Sequence, residues 1–169
     1  MGVIAPEARV QQTIRGLQTI RKNVSDAIIF LVDGSPRKVE DEKIQSISNY
    51  VDFMVYFSGD ETISTFAKNH KKSEAECALL IKTLLLLKQD PKMINMMQSV
   101  TRIFKVSGRT DLVDSFDINE HNHPGKYVFK TRIPTWLRDS RKQYATDLLI
   151  TRLYSLCPSL IEDYIKISV

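Results

Sequence analysis

The most chemical stretch of this chain is Asp117-Ile118-Asn119-Glu120-His121-Asn122-His123, which holds two of its three histidines. A His-x-His pair such as His121 and His123 can ligate zinc or iron, and Asp117 and Glu120 add oxygen donors beside it. The sequence places no third or fourth ligand, and Asn, His, Pro and Gly favour turns. The stretch therefore reads as a solvated loop, and no metal or other cofactor is expected. The letters His-Asn-His also spell a nuclease motif, but that motif needs its residues spread across a ββα-metal fold. A serine or cysteine nucleophile needs a positioned base, and neither Cys77 nor Cys157 has a flanking motif. There is no Walker loop and no dinucleotide-binding glycine pattern. The expectation is a chain without catalytic chemistry.

Cations gather in three places. One is Lys68, Lys71 and Lys72. Another is Arg102, Lys105 and Arg109, spaced to share a helix face. The third is Lys126, Lys130, Arg132, Arg138, Arg141 and Lys142, with Tyr127, Phe129 and Trp136 between them. Aromatic rings interleaved with cations are what base stacking and phosphate contact require. The alternative is a solvated face whose carboxylates, such as Asp139, offset part of the charge. The formal net charge of +4 is mild and does not by itself imply nucleic acid.

Two apolar sets are candidates for protein contact. Val10, Ile14, Leu17, Val24 and Ile28 form a helical stripe, interrupted at Arg21, that suits either the domain's own core or a second copy of the chain. Met93, Met96 and Met97 put three flexible, polarisable side chains within five residues, which suits a core or an adaptable docking surface. Ile14, Leu17, Met93, Met96 and Met97 are thus the candidate partner-binding residues.

Positioning these groups falls to helices in this reading. Residues 77–87 read CALLIKTLLLL, with four consecutive leucines at Leu84, Leu85, Leu86 and Leu87. A helix apolar on nearly every side must be wrapped by others. Ser73 and Glu76 fit a capping box, and Asp90-Pro91 supplies a stop. The expectation is a central apolar helix from Glu74 to Lys88. Around it the spacing predicts helices over 6–32, 39–57, 61–68, 91–106, 134–157 and 159–167, with turns at Gly34, Gly59 and Gly108 and an extended piece near 127–129. The predicted fold is an all-α, irregular bundle of six or seven helices in one domain. A hydrophobic share of 43% and a charged share of 26% are globular values. Lys82 and Lys88 interrupt the apolar run, so no transmembrane segment is expected. Pro6 stands where a myristoylation pattern needs Ser or Thr. Cys77 and Cys157 in apolar patterns suit reduced thiols and an intracellular location, cytoplasm or nucleus.

The leucine-rich helix, short break and methionine-bearing helix of residues 77–106, ending Arg102-Ile103-Phe104-Lys105-Val106, resemble the small helical domains of transcription-elongation factors and the integrase-binding domain of the lens-epithelium-derived growth factor. With no catalytic set but long amphipathic helices and a methionine-rich helix, the leading expectation is a non-enzymatic, helical protein–protein interaction domain within a larger intracellular assembly, with homo-oligomerisation as one form of partnership. The runner-up is a nucleic-acid-binding helical protein of the viral or chromatin packaging type, using 126–142. An oligomerising, matrix-like protein at a membrane surface ranks third.

Overall fold

The protein is described from a computed structural model, covering residues 6–35, 40–69, 71–108, 110–129, 132–138, 143–149 and 153–168, with backbone alone for 132–138 and 143–149. The fold is mixed α/β, not all-α: the described residues form six α-helices and three small sheets. The expected bundle fails because several runs read as helix are strands.

Helix α1 spans Pro6–Asn23, with Pro6 and Glu7 in its first turn and Arg21 and Lys22 in its last, the arrangement that suits a helix dipole. It does not continue to residue 32. Arg21, the interruption in the apolar stripe, closes a turn by donating to the Ala27 carbonyl at 2.5 Å and pairing with Asp52 at 2.7 Å. The β-branched and aromatic run that follows becomes strand β1 (Phe30–Asp33). Helix α2 covers only Asp41–Ser48, and the aromatic residues after it become strand β2 (Phe53–Tyr56). β1 and β2 pair in parallel from Phe30↔Phe53 to Asp33↔Tyr56, and the Phe30 and Phe53 rings stack at 4.7 Å. Parallel neighbours need a crossover connection, which α2 provides.

Gly59, at φ 87°, makes the break before helix α3 (Glu61–Lys68), which matches its expected bounds. Helix α4 (Lys72–Gln89) begins at Lys71 without a side-chain cap, so Ser73 and Glu76 lie inside it and no capping box forms. Nor is it a central helix wrapped on all sides. It packs against α3, β1, helix α5 (Pro91–Met97) and helix α6 (Ile161–Ser168). Thr83, Leu84 and Leu87 are buried, whereas Leu80, Leu85 and Leu86 are only half-buried. The expected stop at Asp90-Pro91 is present. The Asp90 carboxylate accepts from the amides of Lys92 and Met93 at 2.8 and 3.2 Å, and Pro91 opens α5.

α5 ends at Met97 rather than running on to Ser107. Ile103–Val106 is strand β3, where the resembling cadence departs from a helix. β3 and strand β4 (Val128–Phe129) flank strand β7 (Leu153–Leu156) in an antiparallel sheet. All four β7 residues are buried, as a middle strand covered on both faces must be. Helix 134–157 is replaced by β7 and by the antiparallel pair β5 (Arg132–Arg138) and β6 (Gln143–Leu149). Pro158 does break the chain, opening a 3-10 turn before α6.

Two clusters form the core. Leu84, Leu87, Tyr154, Leu156 and Ile161 hold α4, β7 and α6 together. Leu17, Ile29 and Ile47 join α1, β1 and α2. α1 has a second, polar edge that grips Gly108, Asp111, Leu112 and Asp114. Thr13 Oγ1 reaches the Gly108 carbonyl at 3.4 Å, and Thr19 Oγ1 accepts from the Leu112 amide at 2.9 Å. Arg15 and Lys22 pair with Asp111 and Asp114, each at 2.6 Å. Gly16 lies between them, where an added Cβ would stand 3.1 Å from the Thr110 carbonyl. Among the described residues no helix is long and apolar enough to cross a membrane.

Candidate functional site

The stripe proposed for partner binding is divided by the fold. Leu17 is 6% exposed and lies in the core, with Val10 and Ile14 packed against its cluster. Val24 is half-buried and Ile28 is 40% exposed. Ile14 also lines an open cleft of about 600 Å³ between α1 and α2, together with Gln11, Gln12, Arg15, Gln18, Ser46 and Tyr50. Gln18 Nε2 donates to the Tyr50 hydroxyl across it at 3.2 Å. The Gln12 Oε1 atom is buried and has no hydrogen-bond partner among the described residues. Buried polar atoms are nearly always satisfied, and one that is not needs a reason. The sequence reading passed over Gln11, Gln12, Gln18 and Tyr50, because amides on a helix carry no periodic signal.

Met93, Met96 and Met97 all pack against the α4–β7–α6 cluster, the core alternative for that set. Met97 also lines a smaller recess of about 270 Å³ with Leu87, Lys88, Ile94, Pro158 and Ile161. Ile94 is 44% exposed there, and Lys88 is held by Glu162.

The histidine-rich stretch becomes a 3-10 turn (Ile118–His121), started by the Asp117 carboxylate accepting from the Asn119 amide at 2.8 Å. His121 is 6% exposed, with the rings of Phe104 and Phe116 at 4.9 and 5.6 Å. Its Nδ1 lies 2.8 Å from Ser155 Oγ. This is the geometry of a serine and its base, but Ser155 has 0% exposure, so no path leads a substrate to its oxygen. Burial, and then the Arg102 guanidinium, hold His121 below the usual histidine range, which favours the neutral ring. His123 is exposed. Among the described residues no three His, Cys, Asp or Glu side chains are grouped to hold a metal ion.

Arg102 was expected on a basic helix face. It instead points inward at the start of β3. It donates to Ser155 Oγ at 2.9 Å, the His123 carbonyl at 2.7 Å, Cys157 Sγ at 3.1 Å, the Lys126 carbonyl at 2.9 Å and the Ser155 carbonyl at 3.2 Å. Those bonds equal the five N–H donors that a guanidinium carries. Gly125, at φ 66°, adds its amide to Cys157 Sγ at 3.2 Å. Burial pushes the Cys157 thiol up, but the Gly125 and Lys126 amides with Arg102 outweigh it and leave the thiol below its ordinary value. Lys105 pairs with Glu76 at 3.2 Å. Arg109 lies outside the described residues.

The third basic stretch is not a helix. Lys126 is exposed ahead of β4. Lys130, Arg141 and Lys142 lie outside the described residues. Arg132, Trp136 and Arg138 fall on β5, in register with Leu149, Ala145 and Gln143 of β6. No family model, curated protein or solved structure matches this chain.

Proposed function

We propose that this chain is a non-enzymatic, intracellular protein-interaction domain of a larger assembly, and that it takes its partner in the α1–α2 cleft. The observation that carries the reading is the buried, unpartnered Gln12 Oε1 in that cleft. An unsatisfied buried acceptor costs about 1–3 kcal/mol, and a Gln12 rotamer that turns Oε1 into the cleft would let a ligand N–H recover it. The lining supports a peptide ligand: the amides of Gln11, Gln12 and Gln18 and the hydroxyls of Ser46 and Tyr50 are neutral donors and acceptors, matched to a backbone's alternating N–H and C=O. Ile14 supplies an apolar wall for one side chain. Both cysteines are unpaired, which supports a reducing compartment.

The test is a photo-crosslinking amino acid at Gln11 in the source cell, with and without Gln12→Leu. The reading expects a defined protein crosslink that Gln12→Leu abolishes while the variant stays folded. A crosslink pattern indifferent to Gln12→Leu refutes it.

A further inference from the structure

We infer that the β5–β6 ribbon carries a second binding surface, one that takes single-stranded nucleic acid on the face holding positions Arg132, Trp136 and Arg138. Paired antiparallel residues share a face, and successive residues alternate between faces. The register therefore sorts the ribbon into two sets of positions. Ile133, Thr135 and Leu137 share one face with Leu148, Thr146 and Tyr144. Arg132, Pro134, Trp136 and Arg138 share the other with Leu149, Asp147, Ala145 and Gln143. The first set is apolar or β-branched throughout, a composition for burial. The second holds both arginines and the only tryptophan of the chain.

Same-face positions on a strand lie about 7 Å apart, so Arg132 and Arg138 span about 20 Å with Trp136 between them. Cations at intervals along an extended track, with a ring among them, are the elements of single-strand binding. Stacking on that ring requires an unpaired base, which a duplex does not offer, so the occupant is single-stranded. Asp147, opposite Pro134, is the one carboxylate position on this face, and Arg132 with Arg138 outnumber it. Several cations elsewhere among the described residues are engaged locally. Arg102 spends its bonds inside the fold, and Lys22, Lys82, Lys88 and Lys105 each pair with a carboxylate. This surface is independent of the α1–α2 cleft, and each can fail without the other.

The experiment titrates the full chain with a fluorescein-labelled homopolymer of about twelve nucleotides, matched to single-strand site sizes, and follows both anisotropy and Trp136 emission. The two signals should saturate at the same midpoint. With two phosphate contacts, the slope of log K against log salt should be about −1.4. Arg132→Gln with Arg138→Gln should weaken binding and flatten that slope. Trp136→Ala should weaken it about 5- to 150-fold. Circular dichroism checks the fold of each variant, and Trp136→Phe, which keeps a ring, replaces the alanine variant if that one unfolds; it should retain most of the affinity. The inference is overturned if emission stays constant while anisotropy rises, if the arginine variants keep the parent slope, or if duplex binds as tightly as single strand. No binding by the folded chain at about 50 mM salt also overturns it, and leaves the ribbon to a protein partner.

Discussion

Two regions of this molecule bury polar atoms, and they treat them in opposite ways. At the join of β3, β7 and the 118–125 segment, Arg102 donates to five acceptors and Ser155 links it to His121. In the α1–α2 cleft, Gln12 Oε1 is buried with no partner among the described residues. The first site is closed: its Ser155 has no exposed surface, and its groups are consumed in joining segments that lie far apart in sequence. The second site is open and carries an unmet hydrogen bond. A satisfied polar node specifies architecture. An unsatisfied one in a cleft leaves free energy for something outside the chain to supply.

The largest effect that separates these roles is expected from Arg102→Ala. It strips donors from the acceptors of buried Ser155 and Cys157 and from the carbonyls of exposed His123 and Lys126, and should cost about 3 kcal/mol in urea unfolding. Arg102→Lys should rescue little, since an ammonium cannot reproduce the planar fork. A variant that unfolds at the parent's urea midpoint would mean the node is not architectural. Ser155→Ala comes next, at about 1–2 kcal/mol, because it removes only the hydroxyl between Arg102 and His121.

Acid offers a graded probe of the same node. His121 is held below its ordinary value of 6.5, so the unfolded chain binds its proton more readily than the native one. The stability this gives is complete above pH 6.5 and is lost as pH falls from there through the lower native value. The slope from this residue is at most about 1.4 kcal/mol per pH unit. Unfolding midpoints measured between pH 7.5 and 5 should fall in the parent and fall less in His121→Phe. Equal slopes would remove His121 from the account. The smallest effect has the opposite sign. Gln12→Leu deletes an unsatisfied acceptor and should raise stability by about 1 kcal/mol, or a Tm gain of about 2–4 °C. A lower melting point would show that Gln12 is already satisfied in solution and would remove the contrast between the two sites.

The sequence made local punctuation legible. Asp90-Pro91, Gly59 before α3 and Pro158 before α6 act through backbone geometry that neighbouring residues determine. It hid what depends on distant partners. Ile103 to Val106 carry the same apolar residues in a helix or a strand, and pairing with Leu153 to Leu156 decides for the strand. Leu137, Tyr144 and Leu148 recur at seven and four residues, which fits a helix, but Ile133, Thr135 and Leu137 alternate as a strand does, and the sequence reading weighed only the longer period. Arg102 read as surface charge because its partners lie 21 to 55 residues away. The candidate partner residues Ile14 and Met97 do line recesses, but only the fold shows that Leu17, Met93 and Met96 are committed to the core.

The polar edge of α1 has a consequence for the order of assembly. The apolar side of that helix meets Ile29 and Ile47, partners brought close by short connections. Its other edge grips residues 92 to 96 positions away, and closing so long a loop must await the structure in between. During synthesis the N-terminal unit can condense while the ribosome still holds the rest. Gly108, Asp111, Leu112 and Asp114 then dock onto a helix already in place, so this clasp should be the last part of α1 to gain protection from hydrogen exchange and the first to lose it.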